Sequence, residues 1–132
     1  MPISTIPTSG LSSDQGVNFR NLIINGDMSI AQRGTSVSSI SGGGAFDTVD
    51  RFSRYISNAG TWTISQSTDT PTGQGFANST KLDCTTANSS LASGSEFIFR
   101  TKLEGQMLQM LKKGTSSAES TTLSFWVKSN KT

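Results

Sequence analysis

After Phe19, apolar and polar residues alternate with a period of two along most of the chain, the pattern of antiparallel strands with one wet face. Asn21-Leu22-Ile23-Ile24-Asn25 reads as a short apolar strand and Gly26-Asp27 as a turn. Met28-Ser29-Ile30-Ala31-Gln32 reads as a second strand or the bent continuation of the first. Gly34 to Gly44 is a loop by composition, with Val37 and Ile40 as anchors within it. Residues 46–56 lead into a strand with Phe52, Arg54 and Ile56 on one face and Arg51, Ser53 and Tyr55 on the other, and Asn58-Ala59-Gly60 is a turn. Trp62 and Ile64 alternate with Thr61, Thr63 and Ser65 in a half-buried strand, followed by a loop over Thr68 to Ala77. Three more strands are predicted: Ser79 to Thr85, with Leu82 and Cys84 opposite Lys81 and Asp83; Glu96 to Leu103; and Thr121 to Lys128, with Leu123, Phe125 and Val127 on one face.

One segment departs from this period. Leu103, Met107, Met110 and Leu111 recur at helical spacing, with Glu104 in the first turn and Lys112-Lys113-Gly114 at the end. A short amphipathic helix over residues 104–113 is expected, capping the open end of a sandwich. The first 18 residues differ again, with Pro2, Pro7, Gly10 and Gly16 among Ser and Thr, and Ile3, Ile6, Leu11 and Val17 as isolated apolar positions. Proline and glycine prevent a regular element there, and the spaced apolar residues favour an extended strap that a partner surface orders. The expected organisation is an arm over residues 1–18 and one all-β domain, an antiparallel β-sandwich, over residues 19–132.

Composition supports the β reading. Ser, Thr and Gly make up about two-fifths of the 132 residues, and charged residues only 15%. The formal net charge is +2 and the eleven basic residues are scattered, so no basic stripe marks a nucleic-acid footprint. No apolar run is long enough for a membrane-spanning helix, and neither nucleic acid nor membrane insertion is expected. A single cysteine, Cys84, excludes an intrachain disulfide and reads as a small core thiol.

Candidate chemistry is sparse. Histidine is absent, which removes the commonest general base and metal ligand. The glycine run at Gly42-Gly43-Gly44 lacks the Lys-Ser/Thr of a phosphate loop, and Asp27, Asp47 and Asp50 lack the spacing of a dedicated Ca²⁺ loop. Asp50 is expected to pair with Arg51 or Arg54, or to satisfy loop amides. Six Asp and three Glu leave a glycosidase-like carboxylate pair open by count, but no spacing nominates one. Tyr55, Trp62 and Trp126 are candidates for stacking on sugar rings, since each joins an apolar face to a polar handle; core packing is the competing role for both tryptophans. No catalytic residue, cofactor or metal is expected.

Several short stretches, read in order, carry a family resemblance. Arg20-Asn21-Leu22-Ile23-Ile24-Asn25-Gly26-Asp27-Met28, Gln32-Arg33-Gly34-Thr35 and Asp50-Arg51-Phe52 open the series. Gly60-Thr61-Trp62-Thr63-Ile64, Lys81-Leu82-Asp83-Cys84-Thr85, Leu103-Glu104-Gly105-Gln106 and Leu123-Ser124-Phe125-Trp126-Val127-Lys128-Ser129 continue it. Together they resemble a family of phage tail-fibre and virion-associated proteins. The resemblance implies a jelly roll similar to carbohydrate-binding modules and a non-enzymatic, trimeric component of the phage tail, partnered by other virion proteins. It further implies strands beyond Lys128-Ser129-Asn130 that would complete the sandwich, so the chain is expected to be the N-terminal part of a longer polypeptide, or else a domain whose sheet edges other copies cover. On this reading Ile3, Ile6 and Leu11 would anchor the arm to the virion. The rival reading is a module binding host surface glycans through Tyr55, Trp62 or Trp126.

Overall fold

A computed structural model describes residues 21–130. The expected arm, with Ile3, Ile6 and Leu11, lies outside the described residues. The strands are β1 (Ser36–Ile40), β2 (Gly43–Ala45), β3 (Phe52–Ser57), β4 (Thr61–Ser67), β5 (Ser79–Thr86) and β6 (Glu96–Thr101), followed by a 3₁₀ helix over Gly105–Leu111. They form two antiparallel three-stranded sheets, ordered β1-β4-β5 and β2-β3-β6. The chain crosses between sheets after β1, β3 and β5, which gives an all-β, sandwich-like fold with no closed barrel and with β1, β5, β2 and β6 as edge strands.

The alternation read from the sequence is what joins the layers. Antiparallel pairing sets Ile56 opposite Phe97 and Phe52 opposite Thr101 in one sheet, and Ile64 opposite Leu82 and Trp62 opposite Cys84 in the other. Residues directly opposite share a face, so the apolar sides of β3 and β4 can meet. Ile40, Ile56 and Ile64 form the buried centre, with Val37, Ala59, Trp62 and Phe97 packed against it. Phe52 stacks on Phe99 at 5.2 Å between centroids, and Val49 is buried as the chain enters β3.

Five expected elements differ. Residues 21–25 form no strand and bend at Ile23 into a turn that runs to Asp27, because the Asn21 side chain accepts a hydrogen bond from the Ile23 amide (2.9 Å) and Asn25 adopts a left-handed backbone (φ 58°). Side-chain amides that capture nearby backbone in this way compete with strand pairing. Met28 is left-handed as well (φ 57°), and residues 28–32 form no strand.

Residues 34–44, expected as a loop, instead hold β1 and most of β2. Val37 pairs with Ile64 and Ile40 with Trp62, with a bulge between the two. Three steps along β1 thus match two along β4, and the extra residue brings both apolar anchors to the core side. Serine and glycine hid a strand whose stability comes from two residues.

The expected α-helix is a 3₁₀ helix with no buried residue, ended by a left-handed Lys112 (φ 47°) whose amide bonds the Gln109 carbonyl. A short helix draws most of its stability from packing of its apolar face. This one caps no core: Met110 is exposed, and Met107 and Leu111 are only partly covered. Thr121 to Lys128 forms no strand either. Leu123, Phe125, Trp126 and Val127 are 64–79% exposed along an unpaired stretch.

Candidate functional site

Three of the quoted stretches meet at one junction, where the chain enters the sandwich. The Asn25 side-chain amide donates to the carbonyls of Ile30 and Asp50, both at 2.9 Å, while its oxygen accepts from the Ile30 amide at 2.9 Å. The Asp50 amide donates to the Ile30 carbonyl at 2.9 Å, and the Asp50 carboxylate pairs with Arg33 at 3.2 Å. Arg33 also lies over the Phe46 ring, 5.8 Å from its centroid. One asparagine thus ties the opening turn to the start of β3. Its left-handed backbone, which Asn tolerates better than most residues, aims the side chain there.

β4 secures the same segment from the other sheet. The Gln66 side-chain amide donates to the carbonyls of Met28 (2.7 Å) and Ser29 (3.1 Å), and the Gln66 backbone amide to that of Thr35 (2.8 Å). The two side-chain bonds satisfy backbone carbonyls that no ladder serves. The junction is a clamp, and its residues carry binding capacity only through what they position. The Gly26-Asp27 turn signal is the one trace of it in the residue pattern, which assigns Asn25 to a strand; the partnership with Asp50 and Gln66 spans distances that periodicity does not encode.

Asp50 therefore pairs with neither Arg51 nor Arg54, the partners expected from adjacency. Arg51 lies 3.9 Å from Glu104, and Arg54 bonds Asp47 at 2.5 Å. Arg54 projects where the pleat of β3 sends it, whereas Asp50 and Arg51 precede that strand, Arg51 with a left-handed backbone (φ 72°). The loop before β3 turns Asp47 back onto Arg54 and leaves Asp50 facing the opening turn.

The three aromatic candidates occupy different surroundings. Tyr55 sits on the face of β3 opposite Ile56, with its ring beside Gly44 on the neighbouring strand and partly exposed to solvent. Trp62 faces the core side of the other sheet, 4.3 Å from Phe97 between ring centroids, with its Nε1 donating to the Ala59 carbonyl at 2.8 Å. Its polar handle is thereby occupied. Trp126 lies on the exposed stretch after the 3₁₀ helix. Tyr55 and Trp62 are on opposite sides of the β2-β3-β6 sheet, so no single groove unites them.

Of two shallow depressions, one is bordered by Trp62 and neither by Tyr55 or Trp126. One, of about 210 Å³, is bordered by Gly44, Phe46, Ser53, Arg100 and Lys102. The other, of about 280 Å³, is bordered by Trp62, Cys84, Leu91 and Phe97. Cys84, expected as a buried core thiol, is only half-buried at the second. Among the described residues no group of three or more Cys, Asp or Glu side chains could hold a metal ion, and no helix is long and apolar enough to cross a membrane. No family model, curated protein or solved structure matches the chain.

Proposed function

We propose that the chain is a structural virion protein, the N-terminal attachment part of a bacteriophage tail fibre, which anchors the fibre to the tail as a homotrimer. The observation that carries the reading is the ordered series of stretches running from Arg20-Asn21-Leu22 to Trp126-Val127-Lys128, which resembles the tail-fibre and virion-associated family. Support comes from the junction: the first three stretches of that series interlock through Asn25, Arg33 and Asp50 ahead of β3. A rigid junction suits a part that transmits load from an arm to a body.

The mechanism is geometric. An extended arm adds backbone hydrogen bonds to a partner's sheet edge or groove, Ile3, Ile6 and Leu11 supply apolar anchors, and three linked copies multiply a modest affinity. Deleting residues 1–18 from the full-length protein tests this reading. Loss of incorporation into particles, with the circular dichroism of the remainder unchanged, is expected; normal incorporation would overturn it.

A second reading, a module for host surface glycans, is favoured by one observation. Tyr55 lies beside Gly44, which borders the depression carrying Arg100 and Lys102, a setting suited to an acidic sugar. Binding to acidic saccharides on a glycan array, abolished by Tyr55→Ala, is the result this reading requires.

A further inference from the structure

The stretch Thr121–Lys128 has the alternation of a half-buried strand, yet it lies unpaired and exposed. β5 is an edge strand whose core-side residues are incompletely covered: Leu82 is 38% exposed, and Cys84 borders the depression beside Trp62. The Thr80 hydroxyl, on the same strand, is buried without a hydrogen-bond partner. The two segments are tethered at one end. Lys128 Nζ pairs with the Asp69 carboxylate at 2.7 Å, and the Asp69 carbonyl accepts from the hydroxyl of Ser79, the first residue of β5, at 2.7 Å.

We propose that Thr121–Lys128 closes onto the open edge of β5 of its own chain, as a fourth, antiparallel strand of the β1-β4-β5 sheet. The tether sets the register, with Lys128 beside Ser79. Antiparallel alignment from that point places Val127 opposite Thr80, Phe125 opposite Leu82 and Leu123 opposite Cys84. The parity is the physical test of this register, because a slip of one residue would turn every side chain to the wrong face. Thr80, Leu82 and Cys84 are opposite Gln66, Ile64 and Trp62 of β4, so the apolar triplet of the strap arrives on the core side. Leu123 then reaches the depression of about 280 Å³ bordered by Trp62 and Phe97, and Ser124 and Trp126 fall on the outer face with Asp83 and Lys81. The lengths agree, since eight residues of strap meet the eight residues of β5. Closure covers an unpaired edge that would otherwise invite association, and it holds whether or not the chain serves in a virion.

Cys84 is the one cysteine in the sequence, which makes the register directly readable. In the full chain, Leu123→Cys places a second thiol directly opposite it, at a spacing within disulfide range. Mild oxidation is expected to give an intramolecular disulfide, read by intact mass and thiol count, about tenfold faster than for Ser124→Cys, whose side chain faces away. Equal rates, no disulfide, or disulfide-linked dimers as the main product would each overturn the proposal. An independent readout guards against a cysteine variant that perturbs the edge. Phe125→Asp is expected to speed amide exchange in β5 by about tenfold while leaving β3 and β6 unchanged; unchanged exchange in β5 would also overturn it.

Discussion

Arg54 and Asp47 close on each other across seven residues, Nε to Oδ2 at 2.5 Å, with both side chains less than one-fifth exposed. The same guanidinium donates to the carbonyls of Gly42 (2.9 Å) and Gly43 (2.8 Å), so one side chain binds the start of β2 to the loop before β3. Arginine suits this place because its planar fork serves several acceptors at once. Replacing it by Met keeps much of the stem and leaves Asp47 as a largely buried, uncompensated charge. Arg54→Met is expected to cost about 2–4 kcal/mol, a fall in thermal midpoint on the order of 10 °C. Asp47→Asn should cost about half as much, since Arg54 keeps its two carbonyls. Thermal unfolding of both variants checks the order.

Asn25 makes three side-chain hydrogen bonds from a left-handed backbone. Asn25→Ala loses all three and strains the φ, an expected loss of about 2–4 kcal/mol. Asn25→Asp keeps one acceptor but sets a carboxylate against the carbonyls of Ile30 and Asp50, so it should be no better than Ala. Urea denaturation that ranks Asp close to wild type would show the hydrogen-bond assignment to be wrong.

Gly60 turns β3 into β4 with φ 88°, and a Cβ there would collide with the Thr86 carbonyl. Strain and clash act together at this position. Gly60→Ala is expected to cost more than about 3 kcal/mol, seen as a large drop in soluble yield and unfolding midpoint.

Trp62 joins the sheets through Phe97 and is fixed by its bond to Ala59. Trp62→Phe retains a ring in the core and gives up the hydrogen bond, at about 1–2 kcal/mol, whereas Trp62→Ala opens a cavity at about 3–5 kcal/mol. A sugar-stacking role would make the two variants equally inert toward stability, and differential scanning calorimetry separates these outcomes.

The strands β3, β4, β5 and β6 were legible because period two puts Phe52 and Ile56, Trp62 and Ile64, Leu82 and Cys84, and Phe97 and Phe99 each on one face of its strand. β1 was not, because Ser36–Ile40 holds two apolar residues three apart and a bulge is needed to align them. Residues 21–25 misled in the other direction: Leu22, Ile23 and Ile24 promise a strand, but the asparagines at either end take over the backbone hydrogen bonding. The helix pattern at Leu103 to Leu111 gives the position of a helical turn while its type depends on packing that no local pattern reports. At the junction, Asn25, Arg33 and Asp50 stand in the quoted stretches, yet their pairing follows from how the β3 loop folds. Neighbouring residues were the natural guess for Asp50, and chain direction decided otherwise.

Imaging tests the proposal that the chain sits in a phage tail and attaches a fibre there. Particles carrying the full-length protein with an epitope at residue 1 would be labelled with gold-conjugated antibody and viewed by electron microscopy. Gold is expected at the tail, where the fibre joins it. Purified particles without label, in preparations whose lysates contain the tagged protein in full, would contradict it.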